Sequence, residues 1–411
     1  MPLFWPRRKN VSSAADMLKG DESELVRILH IIGTLDPEAG GPTESVRVLL
    51  SYGPIGYTGE VVTLDDPSAP YLSDVGFPVH ALGPTNTTYG YNAKLLPWLR
   101  ANRHRFDGVV VNGLWQYCGY AAWRALRGNT PYVVFTHGML DPYFRYAFPL
   151  KHIKKWIYWL PFEYRVLRDA YRVLFTSKAE KRLAEQSFSI HKWNAYVVPF
   201  GASGPKGDPE IQRQAFFQSC PEVRDKRFLL FLGRIHRKKG CDMLVDAFAK
   251  IAAEDPNLHL VIAGPDQQLW SAKLKESVAA ADLTHRVHWP GMLKGDSKWG
   301  SLFASEAFVL PSHQENFGIA VAEALACGRA VLLADKVNIA EEIADDGAGL
   351  VELDTPEGTL NLLQRWIRMS VEEREAMSQR AYQCFHRRYD MRENAKAIIR
   401  LFEKAGDSSV I

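Results

Sequence analysis

The chain has 411 residues, 46% hydrophobic and 24% charged, with 30 glycines and 23 prolines, a globular composition that excludes disordered, collagenous and coiled-coil classes. At ~150 residues per domain, the length corresponds to two or three domains. Lys and Arg total 50 against 47 Asp and Glu, a net charge of +3, too small to mark a nucleic-acid binder by bulk electrostatics, so no nucleic-acid partner is expected.

Residues 1–22 mix Ser, Ala, Asp, Lys and Arg without periodicity and read as a mobile leader. No apolar stretch follows its basic residues, which argues against a signal peptide. No uninterrupted apolar run reaches the ~18 residues of a membrane span. The five cysteines, Cys118, Cys220, Cys241, Cys327 and Cys384, are widely spaced, odd in number and contain no Cys-x-x-Cys pair. That pattern fits neither a disulfide framework nor a zinc site, and a reducing, cytoplasmic compartment is expected.

From residue 23 onward, short apolar runs alternate with longer amphipathic stretches. Strands are expected at Val26–Ile32, Glu60–Leu64, Pro78–Leu82, Gly108–Asn112, Tyr132–Thr136, Tyr171–Thr176 and Tyr196–Pro199. A second series follows at Arg227–Gly233, Leu258–Gly264, Arg286–Pro290, Ala307–Pro311, Ala330–Ala334 and Gly349–Glu352. This alternation implies an α/β fold of two doubly wound, Rossmann-like domains with parallel sheets. The Gly- and Pro-rich segment 201–209 reads as a linker, giving expected domains at 23–200 and 210–388. Ligands of such sheets lie beyond the carboxyl ends of the strands, which places a substrate in the cleft between domains.

After the first strand, Gly40 and Gly41 precede a helix expected to start near Thr43; twin glycines allow close backbone approach to a ligand at a helix amino end, or form a simple turn. The strand ends Asn112-Gly-Leu-Trp115 and His137-Gly-Met-Leu-Asp-Pro142 fall where this architecture collects ligand groups. Asp141 suits an acceptor contact or a turn equally. Residues 143–172 carry seven Lys and Arg among Trp156, Tyr158, Trp159 and Phe162, which suits docking on an anionic membrane surface or an ordinary helix with a solvated basic face and a buried aromatic face. Thr176-Ser-Lys-Ala-Glu180 reads as a helix start with capping-box character.

Two segments of the second half carry more. Phe231-Leu-Gly-Arg-Ile-His-Arg-Lys-Lys-Gly240 puts a basic loop directly after the first strand of the second domain, with Arg237 and Lys238 expected in solvent. Val309-Leu-Pro-Ser-His-Gln-Glu-Asn-Phe-Gly-Ile-Ala-Val-Ala-Glu-Ala-Leu-Ala-Cys-Gly328 reads as strand, turn and helix, the helix expected to begin near Asn316 to Gly318. Glu323 follows Glu315 by eight positions, and eight helical residues rise ~12 Å, comparable with the sugar-to-ribose separation in an extended nucleoside-diphosphate sugar.

The acid-x7-acid spacing, with its flanking Asn-Phe-Gly and Glu-Ala-Leu-Ala-Cys-Gly, resembles the retaining, nucleotide-sugar-dependent glycosyltransferases of the GT-B fold, specifically glycosyltransferase family 4, the group 1 glycosyltransferases. The likeness spans roughly residues 25–405. It implies that Glu315 touches the donor sugar hydroxyls, that Asn316, Phe317 and Gly318 present backbone amides, and that Glu323 holds the ribose diol. It also implies that Arg234 and Lys239 bind the diphosphate, where cations stabilise the charge developing on the leaving group, and that Gly40 and Gly41 lie against donor phosphates or acceptor. His137 is the implied hydroxyl contact near the reacting carbon. Residues 389–411 are expected to form a terminal helix that packs back on the first domain.

The lysine that glucan-extending relatives carry before their glycines is replaced by Glu38-Ala39, which argues against a glycogen or starch synthase. The expected reaction moves a hexosyl group from a nucleotide-diphosphate sugar to an alcohol, a glycan or lipid-linked acceptor, with front-face retention of configuration. No Asp-x-Asp occurs in the chain, so metal-independent catalysis without a cofactor is expected. The competing readings are a GT-B nucleotide-sugar epimerase and a non-catalytic nucleotide-sugar-binding subunit. The expected location is cytoplasmic, with the inner membrane face as a docking surface.

Overall fold

The computed structural model describes residues 25–407, apart from 53–55, 86, 144, 146–148 and 267–268. The leader at 1–22 lies outside these described residues. Seven strands, β1 (Val26–Ile32), β2 (Tyr57–Thr63), β3 (Val79–Ala81), β4 (Gly108–Asn112), β5 (Tyr132–Phe135), β6 (Arg172–Phe175) and β7 (Ala195–Val197), form one sheet in the order β3-β2-β1-β4-β5-β6-β7. Six more, β8 (Arg227–Leu232), β9 (Leu258–Ala263), β10 (Val287–Gly291), β11 (Ala307–Leu310), β12 (Val331–Ala334) and β13 (Gly349–Glu352), form the second in the order β10-β9-β8-β11-β12-β13. Neighbouring strands run parallel in both sheets.

The expected strands form because both faces of each sheet are covered, so that a strand such as β4, Gly-Val-Val-Val-Asn, is buried along its whole length. β2 begins at Tyr57, before the apolar run that signals it, because Tyr57–Gly59 still pair with Val26–Ile28 while only half-buried. In each sheet the strand order reverses between the first and fourth strands. The loops after β1, β4, β8 and β11 therefore open at the two switch points, where neighbouring connections leave on opposite faces and a crevice forms.

The helices that frame this crevice are α1 (Gly41–Ser51), α2 (Pro149–Tyr158), α3 (Lys178–Ala184), α4 (Pro209–Ser219), α5 (Gly295–Ala304), α6 (Ile319–Ala326) and α7 (Met391–Asp407). The chain passes between the sheets twice, and the two passages pair. Ala202 N–H donates to the Tyr389 carbonyl at 3.0 Å, and Met391 N–H donates to the Ala202 carbonyl at 3.3 Å. α7 then packs on α1 and β1, where the Phe402 ring covers Gly108 so closely that a β-carbon there would lie 2.1 Å from it.

Among the described residues of segment 143–172 the aromatic side chains turn inward. Trp159 is fully buried and stacks on Phe188 at 4.0 Å between ring centroids, and Tyr158 bonds the Tyr89 hydroxyl at 2.9 Å. The outward apolar residues are aliphatic instead: Leu150, Ile153, Ile157 and Leu160. Among the described residues, no helix is long and apolar enough to cross a membrane.

Candidate functional site

β8 ends at Leu232, and the chain runs through Arg234 into a single 3-10 turn, Arg237–Lys239. His236 Nδ1 starts the turn by accepting Lys238 N–H at 3.1 Å. Gly240 ends it in the left-handed conformation (φ 66°), and a β-carbon there would sit 2.0 Å from the Pro311 carbonyl. Glycine thus lets this loop press against the loop after β11. Ser312 Oγ and His313 N–H both donate to the Lys238 carbonyl, at 3.0 and 2.9 Å. The consequence is an ion pair between Lys239 Nζ and the Glu315 carboxylate, with Arg234 exposed at the start of the loop. Lys238, expected in solvent, is half-buried over the Tyr143 ring at 5.8 Å, and burial lowers its pKa.

Glu315 is fixed by its backbone: its N–H donates to the Lys336 carbonyl and its carbonyl accepts Asn338 N–H, both at 3.0 Å. The helix expected to begin near Asn316 to Gly318 begins at Ile319, with Gly318 as its cap at φ 76°. The ~12 Å rise of an unbroken helix therefore does not separate Glu315 from Glu323, which lies in the second turn of α6. Glu323 is buried, and its Oε1 accepts from Lys298 Nζ of α5 at 2.7 Å. Burial raises its pKa, Lys298 opposes that rise, and Glu44 of α1 adds to it. Phe317 contributes more than backbone: its buried ring packs edge-on against Phe200 (4.8 Å) and Tyr389 (5.7 Å), beside the two interdomain passages.

The first domain meets this surface with Gly40, Gly41 and His137. Gly40 (φ 101°) caps α1, which starts at Gly41 rather than near Thr43, and a β-carbon on Gly41 would lie 3.9 Å from Ile319 Cδ1. The amino ends of α1 and α6 therefore come together across the domain boundary, and the amino end of a helix carries positive dipole. His137 and Trp115, at the ends of β5 and β4, are non-glycine residues at positive φ (47° and 68°), a strain that collects at functional loops. The His137 ring stacks on Phe135 at 4.5 Å, and Nε2 bonds Asn112 Oδ1 at 3.2 Å. Asn112 Nδ2 faces the Ile31 and Val110 carbonyls, both at 3.4 Å, so its oxygen accepts. Nε2 then carries the proton and Nδ1 keeps its lone pair. Burial pushes this imidazole down to about 3, so at neutral pH it exchanges hydrogen bonds as an uncharged ring and is a poor general base.

Glu180, read from the sequence as half of a capping box, performs another task. Ser177 Oγ caps α3 by accepting Glu180 N–H at 3.0 Å. The buried Glu180 side chain accepts from Thr136 Oγ1 (2.7 Å) and Gly138 N–H (2.6 Å) on one oxygen, and from the N–H and Oγ1 of Thr176 (2.7 Å each) on the other. It clamps the backbone on either side of His137. Across the cleft, Asn316 lies against Gly138, where a β-carbon would be 2.5 Å from its Cγ, and its Nδ2 reaches Thr176 Oγ1 at 3.4 Å. Asp141 accepts Gln314 Nε2 at 2.7 Å and also caps Tyr143 N–H at 2.8 Å. Lys298 stands in no motif that could have drawn attention to it, and Gln314, although it lies inside the Val309–Gly328 stretch, was not singled out because its partner Asp141 is far along the chain.

The structure thus brings Lys239 to Glu315, Asn316 to the His137 loop, and Gly41 to the start of α6. A cavity of about 970 Å³ lies elsewhere in the cleft, between Asp141, Arg182, Lys238, Gln314, Lys336 and Glu341, and none of the ten expected site residues lines it. Around Glu323, the space shared with Glu44, Ser45, Ser203 and Ile319 is only about 10 Å³.

Comparison with known proteins follows the same division of the chain. A family model described as "Glycosyl transferase 4-like domain" matches residues 48–201, and one described as "Glycosyl transferases group 1" matches residues 212–384. A GDP-mannose:cellobiosyl-diphosphopolyprenol alpha-mannosyltransferase of Xanthomonas oryzae is 25% identical over 340 residues, 79% of this chain and 83% of that enzyme. A D-inositol 3-phosphate glycosyltransferase of Kineococcus radiotolerans is 29% identical over 204 residues, 48% of this chain and 46% of the relative, so the match spans about half of that protein. Among solved structures, sucrose-phosphate synthase from Thermosynechococcus elongatus superposes with a TM-score of 0.70 at 19% identity, over 93% of this chain and 100% of that one. Anabaena HepE in complex with UDP and glucose gives 0.70 at 17%, over 93% and 99%. The chain belongs to the group 1, family 4-like glycosyltransferases and has the GT-B fold.

Proposed function

We propose that this glycosyltransferase moves a hexosyl group from a nucleoside-diphosphate sugar to the hydroxyl of a glycan or lipid-linked acceptor with retention of anomeric configuration. One observation carries the reading: the amino ends of α1 and α6 meet across the domain boundary, and Glu315, four residues before α6, is paired with Lys239 of the loop after β8. The amino end of a helix attracts anions, so a diphosphate that reaches this junction is drawn by both helices. Arg234 and Lys239 neutralise the diphosphate as the glycosidic bond breaks, Glu315 and the backbone of Asn316, Phe317 and Gly318 hold the sugar, and Glu323 holds the ribose diol. Lys239 releases Glu315 to the sugar as it turns to the phosphate. Gly40 and Gly41 leave room for phosphate or acceptor.

His137, neutral, touches a sugar hydroxyl near the reacting carbon. The acceptor proton passes to the departing phosphate, so the step needs no strong protein base. Arg234 and Lys239 take the place of a divalent cation. The acceptor reading leans on the Xanthomonas relative, whose name specifies a diphosphopolyprenol acceptor. It leans also on α2, whose exposed Leu150, Ile153 and Ile157 stand beside exposed Lys151 and Lys154; aliphatic residues inserted at the headgroup level and lysines among anionic lipids suit docking at the inner membrane face.

The test is a panel of UDP- and GDP-sugars screened by thermal stabilisation, followed by turnover with the best donor and an NMR assignment of the product anomer. A donor at about 100 times its Kd adds ~2.7 kcal/mol of stability, and Glu315→Ala is expected to keep nucleotide affinity while losing turnover. Inverted product, change of the sugar without any acceptor, or full turnover by Glu315→Ala overturns the reading. Co-sedimentation with anionic but not neutral vesicles tests the docking surface.

A further inference from the structure

At the edge of the second sheet, away from the cleft, four side chains from three stretches of chain converge. Cys220 ends α4 and Glu222 lies on the 3-10 turn that follows; His259 and His288 are the second residues of β9 and β10. Donor atoms of Cys220, Glu222 and His288 all lie within 4.8 Å of one another. His259 Nδ1 is 3.0 Å from His288 Nε2, with the rings 5.3 Å apart and inclined by 21°. The cluster borders an open cavity of about 790 Å³. Cys220 is buried, the imidazoles are half-buried and Glu222 is exposed, so a ligand reaches the cluster from solvent.

We propose that Cys220, Glu222, His259 and His288 form a binding site for a borderline transition-metal cation of the Zn²⁺ class. One thiolate, two imidazoles and one carboxylate are a mixed S, N and O set that suits Zn²⁺, whereas Mg²⁺ and Ca²⁺ favour oxygen alone. In a tetrahedral site with Zn–N near 2.0–2.1 Å, two nitrogens stand ~3.3 Å apart; the two rings already approach that spacing. Lys226 and Arg286 border the same cavity and repel a bare cation, so the thiolate and carboxylate are needed to balance its charge. On binding, the Cys220 proton leaves to solvent, and whichever ring donates in the His259–His288 bond moves its N–H to its other nitrogen.

The cysteine spacing gave no sign of this site because a single cysteine takes part. The histidines stand at the amino ends of their strands, opposite the carboxyl ends that face the cleft. The metal would therefore tie edge strand β10 to the turn after α4 and leave the transfer reaction untouched.

The test uses the full chain, stripped with chelator and titrated with zinc sulfate by calorimetry, with Co²⁺ as a spectroscopic substitute. One equivalent is expected to bind in the micromolar range or tighter, and Co²⁺ to give visible tetrahedral bands with a thiolate charge-transfer band. Cys220→Ser, nearly isosteric, is expected to abolish the charge-transfer band and weaken binding at least about tenfold, His288→Ala to weaken it similarly, and His285→Ala to change it less than twofold. No binding at tens of micromolar, or binding that ignores Cys220→Ser or follows His285, overturns the proposal. If His288→Ala fails to fold, the Cys220→Ser result and the cobalt spectrum decide alone.

Discussion

Glu180 offers the sharpest test of how the first domain holds its part of the site. Its two oxygens receive four donors, two from the Thr136–Gly138 loop and two from Thr176. In Glu180→Gln one oxygen still serves one pair of donors, while the new NH₂ group points at donors on the other side. Two charge-assisted bonds worth ~1.5 kcal/mol or more each are lost, so the first domain is expected to lose about 3 kcal/mol. With a urea m-value of 1–3 kcal/mol/M, the unfolding midpoint moves down by about 1–3 M. Because the clamp spans His137, kcat should fall while donor KM changes little. Thr136→Val, which removes one bond, should cost about 1 kcal/mol and proportionately less activity. A Glu180→Gln protein with an unchanged midpoint and kcat within twofold of the native enzyme would refute the reasoning.

Lys239→Ala is expected to cost about 10²–10³ in kcat, the scale of one lost transition-state charge contact, with stability within about 1 kcal/mol because the Glu315 pair is partly solvated; steady-state kinetics beside a melting curve check both. Gly138→Ala combines φ 75° with a β-carbon 2.5 Å from Asn316 Cγ and should cost about 1–3 kcal/mol, read by urea unfolding, together with weaker donor binding, read by calorimetry. Burial pushes both His30 and His137 down to about 3, so the unfolded chain takes protons near pH 6.5 that the folded chain refuses. Their contribution to stability is complete above that pH and is lost as pH falls toward 3, at ~1.4 kcal/mol per unit and residue, or about 4 kcal/mol in total between pH 7 and 5. Unfolding at the two pH values measures the loss, which His30→Leu should reduce by about half; equal stability at both would contradict it.

The strands were legible because parallel strands covered on both faces are nearly continuous apolar runs, and the loop motifs stood at their ends. Residues 57–59 of β2 were missed because Tyr-Thr-Gly pairs by backbone while half-exposed. The start of α6, expected near Asn316 to Gly318, falls at Ile319; residue order gave the neighbourhood but not the left-handed turn at Gly318 that sets it. Roles that depend on a partner far along the chain left no local trace: Glu180 looked like a cap until Gly138 was seen against it, and Phe317 looked like a backbone donor until Phe200 and Tyr389 closed around it. For the basic–aromatic segment composition left two readings open, and the inward aromatic residues agree with the ordinary helix that has a solvated basic face and a buried aromatic one.

About 10 Å³ is left beside Glu323, room for about one water and none for a ribose. For the proposed donor to reach Glu323, α1 must withdraw from α6, which requires the domains to part. The polar links across the cleft that resist this include Gln314 to Asp141 (2.7 Å), Asn316 to Thr176 (3.4 Å) and the exposed Arg182–Glu341 pair (2.7 Å). At ~1 kcal/mol per hydrogen bond and less for the exposed ion pair, they sum to about 2–3 kcal/mol. An open state then has a population on the order of 1% without ligand, and apparent donor affinity falls by the same fraction. Gln314 is absent from the proposed donor contacts yet supplies one of these links. Gln314→Ala should therefore tighten nucleotide binding about fivefold, the equivalent of ~1 kcal/mol. Calorimetry with the nucleotide selected by the donor screen measures it, and unchanged or weaker affinity would mean that closure of the cleft does not limit entry.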